Sequence, residues 1–224
     1  MEIVPDVHMI EDITAHCYLI VDTDITLVDT GLPHKTKKIL SYITDELHRK
    51  PSELKTILLT HCDIDHIGNA QELRAVTGAK IAAHPKDADI IAGKQVRVMP
   101  KGGMRLMFTL LRPFMRTKPF QVDQIVNNGD TIAGLQVLHV PGHTPGSIAF
   151  YDPKRSILFT GDTLGFTNGA VQGPSERVTM DIKQAYDSIE KYKSLDFSVM
   201  LSGHGEPIRS NAAQLVKEFL KEKH

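Results

Sequence analysis

His61, Asp63, Asp65 and His66 stand at i, i+2, i+4 and i+5, where the apolar run 56–60 gives way to a polar loop and then to a helical pattern. Along an extended segment i and i+2 project to one side, and a turn into a helix swings i+4 and i+5 toward a neighbouring point. The spacing therefore suits two adjacent metal positions. The competing reading is a helix N-terminus rich in Asp for dipole reasons, with incidental histidines. Three further residues of the same chemical kinds sit in glycine-flanked segments: His143 in Pro-Gly-His-Thr-Pro-Gly-Ser, Asp162 in Thr-Gly-Asp, and His204 in Ser-Gly-His-Gly-Glu-Pro. The chemistry such a set would support is hydrolysis, because a metal ion lowers the pKa of its water to about 7 and makes a serine or cysteine nucleophile unnecessary.

Each of these residues follows an apolar, strand-like run, and ligands carried at several strand ends are what a scaffold needs to gather them at one point. Residues 17–21 and 25–28, split by Asp22-Thr23-Asp24, predict a hairpin. Ile39, Leu40, Ile43 and Leu47 predict an amphipathic helix over 36–47, with Pro51 just beyond it. Residues 56–60 predict a buried strand, and Ile67, Ala70 and Leu73 a helix after it. In the second half 136–140, 147–151 and 156–160 predict strands separated by Pro141-Gly142 and Asp152-Pro153 turns. A helix is expected after Asp181, a short strand over 198–201, and a last helix after Ser210. Strand runs flanked by amphipathic helices imply mixed sheets covered by helices.

The chain has 224 residues, enough for one large domain (1–224) with a substantial core. Hydrophobic residues make up 41% and charged residues 24%, with 26 Lys+Arg against 27 Asp+Glu, which excludes disordered, collagen-like and disulfide-scaffold classes. A net charge of -1 gives no global reason to bind nucleic acid, and none is expected as a partner. No apolar run reaches the ~18 residues of a membrane span, and the N-terminal residues do not read as a secretory signal. With only Cys17 and Cys62 and no CxxC, a reducing cytoplasmic setting is expected.

Five segments in order carry a family resemblance: Leu27-Val28-Asp29-Thr30-Gly31, Thr60-His61-Cys62-Asp63-Ile64-Asp65-His66-Ile67-Gly68, Pro141-Gly142-His143-Thr144-Pro145-Gly146-Ser147, Thr160-Gly161-Asp162-Thr163 and Gly203-His204-Gly205. Over nearly the whole chain this series resembles the metallo-β-lactamase-fold hydrolases. The resemblance implies an α/β (α+β) αββα sandwich, two mixed sheets face to face with helices outside and a metal site at one edge. It implies two divalent ions, one held by His61, Asp63 and His143, the other by Asp65, His66 and His204, with Asp162 bridging. Asp29 would either orient the motif or serve only as a turn residue at a strand end. The implied reaction is attack by a metal-bound, bridging hydroxide on an ester, thioester or lactone of a small molecule. Asp65 and Asp162 would pass the proton on.

One departure from the family pattern matters: Asp63 stands where the usual motif has histidine. Three ionised carboxylates, Asp63, Asp65 and Asp162, against two divalent ions would reach neutrality with one hydroxide. Zinc is the first expectation, and the harder oxygen ligand opens the first position to iron or manganese. Asp63→His is expected to be tolerated. Cys62, between two ligands, is expected to point away and pack, and His84 is expected to be an ordinary hydrogen-bonded histidine.

Between Asp89 and Asp123 there is no acidic residue, while Lys94, Arg97, Lys101, Arg105, Arg112, Arg116 and Lys118 are interleaved with methionines, leucines and phenylalanines. This insertion, about 90–122, has three readings: a lid for an acyl or anionic substrate, a homodimer contact or packed helix, or an element for an anionic membrane surface. The chain ends twenty residues after His204, so the extra helical domain of glyoxalase II-like enzymes is not expected. The alternatives to the hydrolase are a di-iron redox protein of the flavodiiron kind, a phosphodiesterase, and a metal-binding scaffold without turnover.

Overall fold

The computed structural model describes residues 1–11, 14–97 and 117–222. Most of the basic insertion falls at 98–116, outside the described residues. The chain opens with β1 (Glu2–Val4), β2 (Val7–Ile10), β3 (Cys17–Val21) and β4 (Ile25–Val28), joined antiparallel, with the hairpin at Asp22-Thr23-Asp24 in place. α1 (Thr36–Ser41), β5 (Leu54–Leu58), α2 (Ile64–Ile67), α3 (Ala70–Thr77), β6 (Lys80–Ala83), α4 (Pro85–Ile91) and β7 (Gln124–Ile125) follow. Here the strands pair in parallel, so the first sheet runs β1-β2-β3-β4-β5-β6-β7 and changes from antiparallel to parallel at β4.

The second sheet is built from β8 (Thr131–Ile132), β9 (Leu135–His139), β10 (Ile148–Asp152), β11 (Ile157–Gly161) and β14 (Val199–Ser202), in the order β14-β11-β10-β9-β8. Among the described residues its one parallel pair is β11 with β14, because α5 (Ile182–Ile189) makes the crossover between them. A separate hairpin, β12 (Gly165–Thr167) with β13 (Ala170–Gln172), lies between β11 and α5, and α6 (Ala212–Glu222) closes the described chain.

Alternation along the strands assigns the layers. Tyr18, Ile20, Val28 and Leu58 of the first sheet meet Val137, Phe150, Phe159 and Leu201 of the second in one buried cluster between the sheets. Their neighbours Leu19, Leu27, Ile57 and Ile81 face the other way and pack on Ile39, Ile43, Leu73 and Ile91 of the helices. On the far side Ala149, Leu158 and Met200 pack on Ile189, Tyr192, Val216 and Leu220. The result is the expected αββα sandwich. Each fully buried Phe in the middle layer stabilises it by roughly 1.5–3 kcal/mol of transfer free energy. Tyr18 also ties the sheets together with a hydrogen bond: its hydroxyl donates to Ser202 O at 2.7 Å.

The helix expected over 36–47 is interrupted. It is α-helical to Ser41, and Tyr42–Glu46 then form a wider turn in which Leu47 N donates to Tyr42 O at 3.1 Å. Thr44 lies in that turn and its hydroxyl donates to Leu40 O and Ser41 O, a local bond that competes with the regular ladder. Ile43 stays buried beside Ile39.

Candidate metal centre

The residues singled out from their types meet at one edge of the sandwich, where β4, β5, β9, β11 and β14 end and Asp29, His61, His143, Asp162 and His204 follow. Asp29 leaves β4 with a left-handed φ of 57°, and its carboxylate is buried. Oδ1 accepts from Thr60 N (2.8 Å), and Oδ2 accepts from the Thr60 hydroxyl (2.7 Å) and lies 2.8 Å from His66 Nδ1. With its hydrogen committed to Asp29, Thr60 Oγ1 is left to accept from His61 Nδ1 at 3.0 Å. His143 Nδ1 is 3.3 Å from Thr179 Oγ1. Partners on Nδ1 fix the ring orientations and aim all three Nε2 atoms inward, as a metal site requires of its histidines.

The inward atoms converge. His143 Nε2 lies 3.1 Å and His61 Nε2 3.6 Å from Asp63 Oδ2. His66 Nε2 is 3.2 Å from Asp162 Oδ1, and His204 Nε2 is 3.2 Å from Asp65 Oδ2. Asp162 Oδ2 stands between, 3.9 Å from His61, 3.7 Å from His143 and 3.6 Å from His204. Three groups of donor atoms lie within 4.8 Å of one another: His61 with Asp63 and His143, Asp65 with His66 and His204, and His61 with His66 and Asp162.

His61 Nε2, His66 Nε2 and Asp162 Oδ1 are buried and make no hydrogen bond of good geometry, the last two standing 3.2 Å apart as an ion pair. Orphaned buried polar atoms are costly, about 1–3 kcal/mol each or more when charged, and a cation is the partner that would satisfy a set of imidazole and carboxylate donors together. These residues therefore fit a metal ion. Gly203 provides room beside them, since a Cβ there would overlap Asp162 Oδ1 and His66 Cε1.

The electrostatics point the same way. Burial opposes ionisation of Asp162, but His66, His61 and His143 outweigh it and hold the carboxyl well below the usual range. Burial likewise opposes ionisation of Asp63, and the bond from His143, the nearby His61 imidazole and the charge of Arg97 together more than reverse it. Asp65 is also lowered, against burial, chiefly by His66 and His204. His66 is pushed well above its ordinary value, because Asp162, Asp29 and Asp65 overcome its burial. His204 is raised first by its bond to Asp65. The cluster is thus negative and takes up protons where a cation would otherwise stand, so protons and metal compete for it.

Two supports went unread in the sequence. Asp87, on α4, is fully buried and takes three donors: Cys62 N (2.8 Å), the Thr144 hydroxyl (2.7 Å) and Gly146 N (2.7 Å). It joins the loop of His61 and Asp63 to the loop of His143. Arg97 pairs with Asp63 through both carboxylate oxygens. Of the basic insertion, then, Arg97 faces a carboxylate of the cluster, and Lys94 pairs with Asp89 at 3.1 Å. Cys62 packs in the cluster between the first sheet and its helices, as expected, and burial pushes its thiol well above its ordinary value. His84 caps α4, accepting from Lys86 N at 3.4 Å, and stacks on His139 with centroids 4.0 Å apart.

His61, His66 and His143 form a closed floor, whereas the His204 side chain is 47% exposed. An open cleft leads to it, walled by Leu164, Gly165, Thr167, Gln172 and Val178.

The family model described as Metallo-beta-lactamase superfamily matches residues 11–204. YobT of Bacillus subtilis (strain 168), an uncharacterized protein, is 28% identical over 93% of this chain and 90% of its own length. The hydroxyacylglutathione hydrolase GloC of Haemophilus influenzae is 29% identical over 76% of this chain and 77% of its own. The crystal structure of TTHA1623 in a di-iron-bound form is 26% identical and matches with a TM-score of 0.66, covering 90% of this chain and 92% of that one.

Proposed function

The chain belongs to the metallo-β-lactamase superfamily, whose members are hydrolytic enzymes, and on that premise we propose that it cleaves the ester, thioester or lactone bond of a small molecule with two divalent ions. His61, Asp63 and His143 hold one ion, Asp65, His66 and His204 the other, and Asp162 lies between both. The observation that carries this reading is the set of three buried atoms without a well-formed hydrogen bond, His61 Nε2, His66 Nε2 and Asp162 Oδ1, inside a ring of further carboxylates and imidazoles. Bound there, the ions would supply a water ionised near neutral pH and a Lewis acid for the scissile carbonyl. Asp29 and Thr60 keep the His66 and His61 rings aimed. Asp65 and Asp162, with side chains 24% and 14% exposed, carry the proton toward the leaving group. The substrate enters beside His204 along the cleft of the β12–β13 hairpin.

Thioesters lead the substrate classes because GloC, a hydroxyacylglutathione hydrolase, is similar over most of both chains. The reading keeps the enzyme in a reducing cytoplasm, since Cys17 and Cys62 are free and buried, and among the described residues no helix is long and apolar enough to cross a membrane. A second reading, iron in the site with redox chemistry, is favoured by the di-iron-bound form of TTHA1623 and by the carboxylate at position 63. The test is elemental analysis of anaerobically purified protein with a visible spectrum, followed by an ester, thioester and lactone panel. About two equivalents of metal with thioester or ester turnover is the expected result. Two equivalents of iron with oxygen uptake and no hydrolysis would replace the hydrolase with the redox reading, and failure to bind metal after reconstitution would overturn both.

A further inference from the structure

The hydrolytic reading makes no use of the Arg97 guanidinium, which lies against the carboxylate of Asp63. Its Nε donates to Oδ1 and its Nη2 to Oδ2 at 2.7 Å, while Nη2 also donates to Val178 O at 2.9 Å. Both side chains are largely enclosed, 12% and 18% exposed. Asp63 Oδ2 is the oxygen that faces His143 and His61, and Oδ1 is turned to the guanidinium. Val178 precedes Thr179, whose hydroxyl pairs with His143 Nδ1, so Arg97 connects the Asp63 carboxylate to the turn that orients His143.

We propose that Arg97 is a charge-compensating positioning residue for the first ion position: its fork grips both carboxylate oxygens, turns Oδ1 away from the cluster so that Oδ2, which also faces His143 and His61, is the single inward donor of Asp63, and with Asp63 forms a neutral unit equivalent in charge and donor number to a histidine. The proposal rests on the reading of His61, Asp63 and His143 as a metal site. A planar, permanently charged fork suits this task, because it meets both carboxylate oxygens at once and cannot lose its proton. It also changes the charge count drawn from the sequence. Three carboxylates with one guanidinium bring two negative charges to two divalent ions, not three, so the first position is less neutralised than Asp63 alone implies. The expectation that Asp63→His is tolerated changes with it, since that substitution leaves an enclosed guanidinium without its anion.

The experiment uses the full chain as wild type, Asp63→His, Arg97→Met and the double variant. Zinc and manganese affinities are measured by competition with a chromogenic chelator, and melting is measured on metal-free protein. Asp63→His is expected to lose zinc affinity by about tenfold or more and to melt lower by on the order of 5–10 °C. The double variant is expected to recover both, to within about threefold of wild-type zinc affinity. Arg97→Met alone frees Asp63 to bind through both oxygens, and the zinc-to-manganese affinity ratio is expected to fall about tenfold, a change that a purely structural role would not produce. A double variant no better than Asp63→His, in a background where the wild type loads metal, overturns the proposal. If the Asp63→His proteins do not fold, an unchanged metal ratio in Arg97→Met overturns it alone. A wild type that takes no metal defeats the site reading itself and the proposal with it.

Discussion

The two halves of the cluster share Asp162 but are held in different ways. His61, Asp63 and His143 have side chains 1%, 18% and 1% exposed, and each is braced from behind by Thr60, Arg97 and Thr179 respectively. In the other half only His66 is comparably fixed, by Asp29. Asp65 is 24% and His204 47% exposed, and they face each other at 3.2 Å. The difference follows from the scaffold. The first half is enclosed where loops after β5 and β9 are pulled together by Asp87, whereas His204 rides on the loop after β14, beside the cleft of the β12–β13 hairpin. A rigid, closed half and an open half give one side that keeps geometry and one that meets solvent and substrate.

Removing the shared residue tests whether the halves act as one centre. Asp162→Ala is expected to lower kcat/KM by about 10³-fold or more and to deplete metal from both positions, as elemental analysis would show. Retention of full metal and turnover would mean that the halves are independent of Asp162. Asp87→Ala should strike the closed half alone: three buried donors lose their acceptor, and urea unfolding is expected to show a loss of about 3 kcal/mol. The metal still bound should then be that of the open half. His204→Ala is the converse, expected to reduce metal from about two equivalents to about one while changing the stability of the metal-free protein by no more than about 0.5 kcal/mol, because the side chain is 47% exposed and its pair with Asp65 is screened by solvent. A loss of both ions would show that the open half governs the closed one.

The smallest expected effect lies outside the cluster and checks that acid sensitivity there is not mistaken for metal loss. Burial, then the nearby His139 and Lys86, bring His84 from its ordinary 6.5 to about 4. The unfolded chain therefore binds the extra proton between those values. The folded state keeps its full advantage above pH 6.5, loses it as pH falls to about 4, and loses no more from this group below that. Metal-free His84→Gln is expected to show a urea-midpoint stability difference between pH 7 and pH 5 smaller than wild type by roughly 1 kcal/mol, discounted for solvent screening.

The cluster was legible in the sequence because its residue types are chemically distinctive and follow strand-like runs, several of them beside glycines, so His61, Asp63, Asp65, His66, His143, Asp162 and His204 could be picked out before any contact was known. The layers were legible for a similar reason, since alternating apolar runs declare which face each strand buries. The supports were not. Arg97 meets Asp63 across 34 residues, and Asp87 meets Thr144 and Gly146 across 57 and 59, with no local pattern to announce either contact. Arg97 counts in the sequence only as one of seven charges of an insertion that suits a lid, a dimer contact or a membrane-surface element alike, because, along the chain, an arginine committed to a carboxylate looks the same as a free one. The break in the first helix was hidden likewise, because Ile39 and Ile43 keep helical spacing through a turn whose hydrogen bonds have widened.

Gly203 has a bearing on how such a centre is recognised in other chains. Its contribution is an empty volume: with any side chain there, Asp162 and His66 would have to move. A sequence carrying every histidine and aspartate of the cluster but alanine at the equivalent of 203 would satisfy any search for the donors and yet be a decoy. The signature of the site therefore includes a residue that donates nothing.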